Sequence, residues 1–408
     1  MNDYDLIIVG AGMVGSALAC ALGGSSLKIA LLEAEHPTAL ASDAVFDLRV
    51  SAVSLANQRF LDNIGAWQHI QDSHRVCPFT TMRVWEAGGA ETCFDCADID
   101  IPALGYFAEN RILQQALLTR CRDFSNIELF MPIDTQSIQF ETEQVVVRCQ
   151  SQTLRTRLLI GADGARSKVR QAALIGTHAW DYQQSALVAT ILSALSQQSI
   201  TWQRFVPSGP QAFLPLAQQH ASLVWYNRPQ EVRRLLALSE SDFLRELETA
   251  FPPELGGVQV LIGRASFPLR RMHTQHYVRE RVALIGDAAH TVHPLAGQGV
   301  NMGFLDAAVL AEVLLDAVAK GREFDLGALS VLRQYERWRR HDNLLMLTAT
   351  DAFYRAFSNT NPILRFTRNS GLALANGFGP LKHQAMRVAL GLAGRQPLLT
   401  QSTWTAAG

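Results

Sequence analysis

Residues 5–15 read Asp5-Leu-Ile-Ile-Val-Gly10-Ala-Gly12-Met-Val-Gly15, and this stretch decides the fold. The apolar run before Gly10 does not alternate, as in a strand buried on both faces of a parallel sheet. The glycines have GxGxxG spacing. Gly10 suits a tight turn, Gly12 a close approach of backbone to a diphosphate, and Gly15 the packing of helix against strand. A helix predicted over 13–22 then points its free N–H groups and positive dipole end at the phosphates. Lys28-Ile-Ala-Leu-Leu32 is a second apolar strand, and it ends at Glu33, 18 residues after Gly15. A carboxylate is needed near there to accept hydrogen bonds from the adenosine ribose. The same acid repels a 2′-phosphate, so the pattern suits FAD or NAD better than NADP. Glycines alone are a weak signal; strand, glycines, helix, strand and acid in register are a strong one.

Two later turns repeat the logic. Leu158-Leu-Ile160 runs into Gly161-Ala-Asp163-Gly164-Ala-Arg166-Ser167, and Val282-Ala-Leu-Ile285 into Gly286-Asp287-Ala-Ala-His290. Each apolar strand stops at glycine and aspartate, where a carboxylate can face a ligand at the carboxyl edge of a sheet. His293-Pro294-Leu-Ala-Gly297-Gln298-Gly299-Val-Asn301 follows, opening an apolar-periodic helix predicted over 301–318. Its N-terminus can support negative charge on a neighbouring ring system. Taken alone, each aspartate is equally a turn or cap residue.

Between these turns the pattern changes. Residues 179–263 carry alternating or apolar runs at 185–192, 212–216, 221–226 and 258–262, broken by proline and glycine, with an amphipathic helix predicted over 231–251. They suggest an antiparallel sheet inserted into the nucleotide fold. Phe213, Trp225 and Tyr226 are candidates for an apolar pocket under that sheet, although aromatic residues on strands are more often plain core. Residues 76–104 add a strand or two. The chain is thus read as α/β: a Rossmann-type, glutathione-reductase-like FAD-binding domain from 1–75, 105–178 and 264–330, a mixed-sheet substrate domain from 76–104 and 179–263, and a helical C-terminus over 331–394.

Composition agrees with a core-forming protein: 408 residues, 48% hydrophobic and 18% charged, exclude a disordered or fibrous chain. A net charge of −1 gives no argument for nucleic acid as partner. The six cysteines are too scattered for a disulfide framework, and Cys93-x-x-Cys96 lacks a second ligand pair, so no metal site is expected. The uncharged stretch 6–27 follows Asp3 and Asp5 and contains the glycine turn, which argues against export or a membrane span, so a cytoplasmic protein is expected.

In this order the three turns resemble the class A flavoprotein monooxygenases. The resemblance narrows at Asp47-Leu-Arg49-Val-Ser51, Glu109-Asn-Arg111-Ile-Leu-Gln-Gln, and His293 to Asn301, which are similar to the ubiquinone-biosynthesis hydroxylases. Trp202-Gln-Arg-Phe-Val-Pro, Ala212-Phe-Leu-Pro-Leu216 and the segment around Phe357-Ser-Asn359 look most like the demethoxyubiquinol hydroxylase branch. The likeness runs from Asp5 to about Gly394; residues 395–408 match nothing in it and are read as a candidate disordered tail.

The resemblance implies FAD, with Glu33 on its ribose, Asp287 in the ribityl-phosphate region, residues 161–167, including Asp163, near both FAD and a transient NAD(P)H, and Pro294 to Asn301, with Gly297 and Gly299, flanking the isoalloxazine. It brings Arg49 and Arg111 to the flavin and its diphosphate; as surface arginines they would need no explanation. His293, beside Pro294, becomes the candidate for ring contact or proton relay, because imidazole titrates near neutral pH. A structural turn histidine is the alternative. The implied reaction is hydroxylation by O₂ of a polyprenylated quinol of the 2-polyprenyl-3-methyl-6-methoxy-1,4-benzoquinol type through a flavin C4a-hydroperoxide. Sister hydroxylases acting on another ring carbon share most of these motifs. A prenyl-lipid flavin reductase and a non-catalytic, flavin-holding complex subunit also stay open. The Trp-x-Trp-x-Ile-Pro string of flavin halogenases does not occur.

Residues 331–408 hold ten basic side chains against Glu336, Asp342 and Asp351, interleaved with apolar residues from Phe353 to Leu374. This region is a candidate for docking on an anionic surface at the inner face of the cytoplasmic membrane, or on a biosynthetic partner; a helical face packed on the body is the alternative.

Overall fold

The computed structural model describes residues 3–37, 44–86, 89, 91–292, 297–321, 325–357 and 379–402, the last residues of the 329–357 helix and position 381 in backbone only. The first strand, Tyr4–Val9, lies between Thr153–Gly161 and Ile29–Leu32, all parallel, with Val282–Leu284 and Ile127–Phe130 continuing the sheet on either side. Leu6, Ile7, Ile8, Leu158, Leu159 and Ile160 have no accessible surface, as unalternating strands in a covered parallel sheet require. The helix Met13–Ala21 packs against Asn110–Arg122 and Gln298–Ala319. All three glycine-bearing turns therefore emerge along the same carboxyl edge.

The inserted segment forms a second, mostly antiparallel sheet. Its spine is a pair of long strands, Thr177–Ser193 and Val258–Thr274, followed outward by His220–Asn227, Gly209–Pro215 and Ile200–Val206. Thr81–Glu86 joins Ile200–Val206 in parallel and Glu91–Asp95 closes that edge, which makes the sheet mixed. Cys77–Phe79 instead joins Val50–Ser54 and Gly105–Glu109 in a small antiparallel sheet.

One helix expected over 231–251 is two, Pro229–Ala237 and Glu240–Ala250. Leu238 and Ser239 are extended, and the Ser239 hydroxyl accepts from the Asp242 N–H at 3.2 Å, restarting the helix with its own N-cap. Further on come the helices Leu329–Phe357 and Gly379–Ala389.

The stretch read as a candidate disordered tail is ordered over its first part. Leu399 and Thr400 are buried, and the Asn63 side chain donates to the carbonyls of Leu399 and Gln401 at 2.7 and 3.1 Å. Arg395 lies 3.6 Å from the centre of the Trp338 ring. Residues 403–408 lie outside the described residues.

Candidate functional site

The glycine turn has two kinds of constraint. Gly10 has φ +104, and a Cβ there would lie 2.4 Å from the Ala162 carbonyl oxygen; a Cβ on Gly15 would lie 2.0 Å from the Gly10 carbonyl oxygen. Both glycines serve the meeting of turn, helix and neighbouring strand. Gly12 differs: its φ of −68 suits any residue, and a Cβ would meet nothing within 4 Å. Nothing among the described residues asks for glycine at Gly12, so the missing side chain leaves room for something outside the chain. No side chain caps the helix Met13–Ala21, whose first N–H groups face that room. Glu33 stands beside it, accepting from the Ala11 N–H at 2.8 Å and the Ala34 N–H at 2.9 Å.

The two aspartate turns flank the glycines. Asp163 accepts from the Val169 N–H at 3.1 Å through one oxygen, while the other is buried without a partner among the described residues. Asp287 is accessible from the open side of the turn but crowded by protein on its others, and that partial desolvation raises its pKa against the opposing pull of His290 and Arg49. Arg170, which no sequence signal singled out, donates to the carbonyls of Ala288 and Ala165 at 2.9 and 2.8 Å and so ties the two turns together. An unfilled glycine cradle, free helix N–H groups, a ribose-type acid and an orphaned buried carboxylate oxygen together fit a dinucleotide such as FAD.

Beneath the Gly286-Asp287 turn sits a buried polar network. Asp306 is fully enclosed and accepts from Gly286 N–H at 3.1 Å, His290 Nε2 at 2.5 Å, Arg339 Nε at 2.8 Å and Asn343 Nδ2 at 2.9 Å. Burial alone would raise this carboxyl, but His290 and Arg339 outweigh it and hold its pKa at about 2. Asn343 also donates to the Tyr277 hydroxyl at 3.2 Å, which lies 3.1 Å from His273 Nε2. Burial, with His290, Arg340 and Arg271 adding to it, pushes His273 down to about 4. The signal in the sequence was an acid on the apolar stripe of a helix, between Phe304 and Ala308.

Between the two sheets lies a cavity of about 700 Å³. Arg49, Ala52 and Gly297 line its nucleotide side; Val188, Tyr226 and Phe267 line its roof. Of the three aromatic residues expected there, Tyr226 lines the cavity and burial raises its phenol pKa. Phe213 and Trp225 do not: they pack with Phe243 and Phe251 against the helices on the far face. Strand parity is the reason, since neighbours alternate sides and Val224 and Tyr226 already face inward, as do Ala212 and Leu214.

Arg49 is exposed on the cavity, 5.5 Å from the Phe267 ring centre. Arg111 is engaged elsewhere: its guanidinium donates to Glu109 at 2.7 and 3.0 Å and to the Val45 carbonyl. Glu109 is buried and also accepts from Arg75 Nε at 2.6 Å and the Asp47 N–H at 2.5 Å. Gly297 caps the helix Gln298–Ala319 with φ +62, and Gly299 sits in the first turn. The Asn301 side chain turns inward, donating to the Ala52 carbonyl at 2.8 Å and accepting from the Ser54 N–H at 2.9 Å, and its backbone carbonyl accepts from Asn57 Nδ2 at 3.3 Å, so its side chain serves the fold. His293 and Pro294 lie outside the described residues.

A family model described as "FAD binding domain" matches residues 3–341. The chain is 40% identical over 389 residues to 3-demethoxyubiquinol 3-hydroxylase of Escherichia coli (strain K12), covering 95% of this chain and 98% of that one. It is 37% identical over 437 residues to human "Ubiquinone biosynthesis monooxygenase COQ6, mitochondrial", covering 95% and 92%. Among solved structures, p-nitrophenol 4-monooxygenase PnpA from Pseudomonas putida DLL-E4 superposes with a TM-score of 0.78 at 20% identity, covering 96% of this chain and 98% of that one, which speaks to the fold alone.

Two outcomes test this geometry. Gly12→Val is expected to keep the urea midpoint of the wild-type apoprotein while losing stoichiometric FAD; retention of full flavin content in the purified variant contradicts the cradle. For His273, the folded state keeps the imidazole neutral while the unfolded chain protonates below about pH 6.5. Its contribution is present above pH 6.5 and is lost as pH falls toward about 4, by roughly 3 kcal/mol. His273→Gln is therefore expected to flatten unfolding free energy against pH in that window, measured by denaturant titration; parallel wild-type and variant curves would refute the assignment.

Proposed function

This chain belongs to the class A FAD-dependent monooxygenases of the ubiquinone-biosynthesis hydroxylase family, and from that premise we propose that it hydroxylates the ring of a polyprenylated quinol of the 2-polyprenyl-3-methyl-6-methoxy-1,4-benzoquinol type. The observation that carries this reading is the cavity of about 700 Å³ between the glycine-turn edge and the mixed sheet, with an apolar roof and arginines at its nucleotide side. Bound FAD supplies two-electron transfer and oxygen activation. The protein's own groups then have definite tasks. Backbone N–H groups of the Gly10–Gly15 turn take the diphosphate, and Glu33 takes the ribose. The positive end of the helix Gln298–Ala319 stabilises negative charge developing on the ring system. Val188, Tyr226 and Phe267 exclude water from the reacting ring.

NAD(P)H is the proposed reductant. Arg166 and Arg270 are exposed and line the same cavity, which has no aspartate or glutamate among its described lining residues. That positive edge favours a second, transient diphosphate. His293, with Pro294, is proposed on sequence grounds as the group that contacts the ring or relays its proton.

The decisive experiment supplies the purified holoenzyme with the quinol, NAD(P)H and ¹⁸O₂. One labelled oxygen atom in the ring, formed in step with NAD(P)H oxidation, is expected, and mass spectrometry assigns the carbon. Oxygen-independent saturation of the prenyl chain, or no flavin reduction with substrate present, would replace the reading with a reductase or a non-catalytic flavin protein.

Contact with an anionic membrane through the C-terminal helices is the narrower part of the proposal. Among the described residues no helix is long and apolar enough to cross a membrane. Arg339 is buried on Asp306, Lys382 pairs with Asp98 at 2.7 Å and Arg395 stacks on Trp338, which removes three of the basic side chains from any docking face. Arg333, Arg337 and Arg387 remain exposed, as do Leu344, Leu345 and Val388. The apolar run from Phe353 to Leu374 lies outside the residues whose side chains are described. Neutralising Arg333, Arg337 and Arg387 together is expected to reduce sedimentation with anionic vesicles severalfold; unchanged sedimentation ends the idea.

A further inference from the structure

Beside the first cavity lies a second of about 450 Å³. It runs between the mixed sheet, the start of the helix Gln298–Ala319 and the two C-terminal helices, Leu329–Phe357 and Gly379–Ala389. No charged residue appears among its described lining residues, and most of its wall is hydrocarbon or thioether. Water in such a space finds few of the polar partners that would hold it, so the space suits an apolar guest.

Three features narrow the guest to a chain attached to the substrate ring. First, Ala52, Phe79, Met82 and Gln203 line both cavities and form a common wall. A group tethered to a ring in the first cavity reaches the second without crossing solvent. Second, Met82, Met346 and Met386 stand along the path. Their unbranched thioethers re-pack around irregular or flexible apolar ligands. Third, the lining alanines Ala349, Ala385 and Ala389 are exposed. Among the described residues the cavity is therefore open between the two C-terminal helices, at side chains too small to close it, and a chain longer than the cavity has an exit there.

We propose that this second cavity binds the polyprenyl chain of the substrate, which passes Met82 and leaves between the helices Leu329–Phe357 and Gly379–Ala389. The assignment rests on the reading that the substrate is a polyprenylated quinol, and its test separates the two.

The probes are a tetraprenyl 1,4-benzoquinone with a diazirine at the chain end and the same ring without the chain, both bound to the FAD-loaded enzyme. Photolysis of the wild-type complex is expected to label Met346, Ala385, Met386 or their immediate neighbours, read by peptide mass spectrometry. Ala349→Trp and Ala385→Trp, at exposed positions, are expected to lower the affinity of the chain-bearing probe about tenfold relative to the chainless one. Label outside the second cavity, or an unchanged affinity ratio in both variants, overturns the proposal. A variant that loses its FAD is set aside and the wild-type label decides. Label inside the cavity without hydroxylation of the tetraprenyl quinol leaves the binding site standing and defeats the hydroxylase reading; hydroxylation with label elsewhere gives the reverse.

Discussion

The carboxylate of Asp306 has no accessible surface, and enclosing an ion this way costs several kcal/mol before any partner is counted. Four donors offset that cost: the Gly286 N–H, His290, Arg339 and Asn343. They come in two pairs from two separate parts of the nucleotide end. Gly286 and His290 belong to the turn that carries Asp287, Asp306 to the helix Gln298–Ala319, and Arg339 and Asn343 to the helix Leu329–Phe357. The C-terminal helix is consequently part of the cofactor edge. Losing the acid would strand the Arg339 charge in the interior, a defect of the class that typically costs 3–5 kcal/mol.

A second buried acid, Glu109, holds another part of the nucleotide side. Glu109 ends the strand Gly105–Glu109 and gathers Arg75, Arg111 and the Asp47 N–H, with Arg75 also 4.0 Å from the Phe46 ring centre. This clasp fixes the segment that presents Arg49. The two acids thus set the spacing between the Gly286-Asp287 turn and Arg49, and Arg49 in turn lowers the raised pKa of Asp287 through space. Arg111 earns its place by shaping that segment in addition to any contact with a diphosphate.

How far the sequence discloses this depends on whether an interaction is local. The glycine turn, the apolar strands at 4–9 and 158–160 and the acid at Glu33 were legible, because spacing along the chain alone defines them. The break at Ser239 was legible in principle from the Ser239-x-x-Asp242 pattern but hidden by continuous amphipathic periodicity. Phe213 and Trp225 were misplaced because an aromatic residue on a strand reveals its period and not which face the core takes. The roles of Asp306, Glu109 and Arg170 stayed hidden for a different reason: the partners that give them those roles, Arg339, Arg75 and Ala288, lie 33, 34 and 118 positions away. Leu399 carried no local signal either: it joins the main apolar core, and its carbonyl accepts from the Asn63 side chain 336 positions away.

The strand order has a further consequence. Tyr4–Val9 cannot gain its parallel neighbour Thr153–Gly161 until that strand exists, and the latter in turn awaits Val282–Leu284. On a ribosome adding roughly 5–20 residues each second, the wait from first strand to last is on the order of 15–60 seconds. Ile29–Leu32 and Ile127–Phe130 are made early, but the other edge of Tyr4–Val9 waits for Thr153–Gly161, and that strand's own outer edge waits for Val282–Leu284. The rate of translation therefore sets how long those two apolar edges stay without their parallel partners.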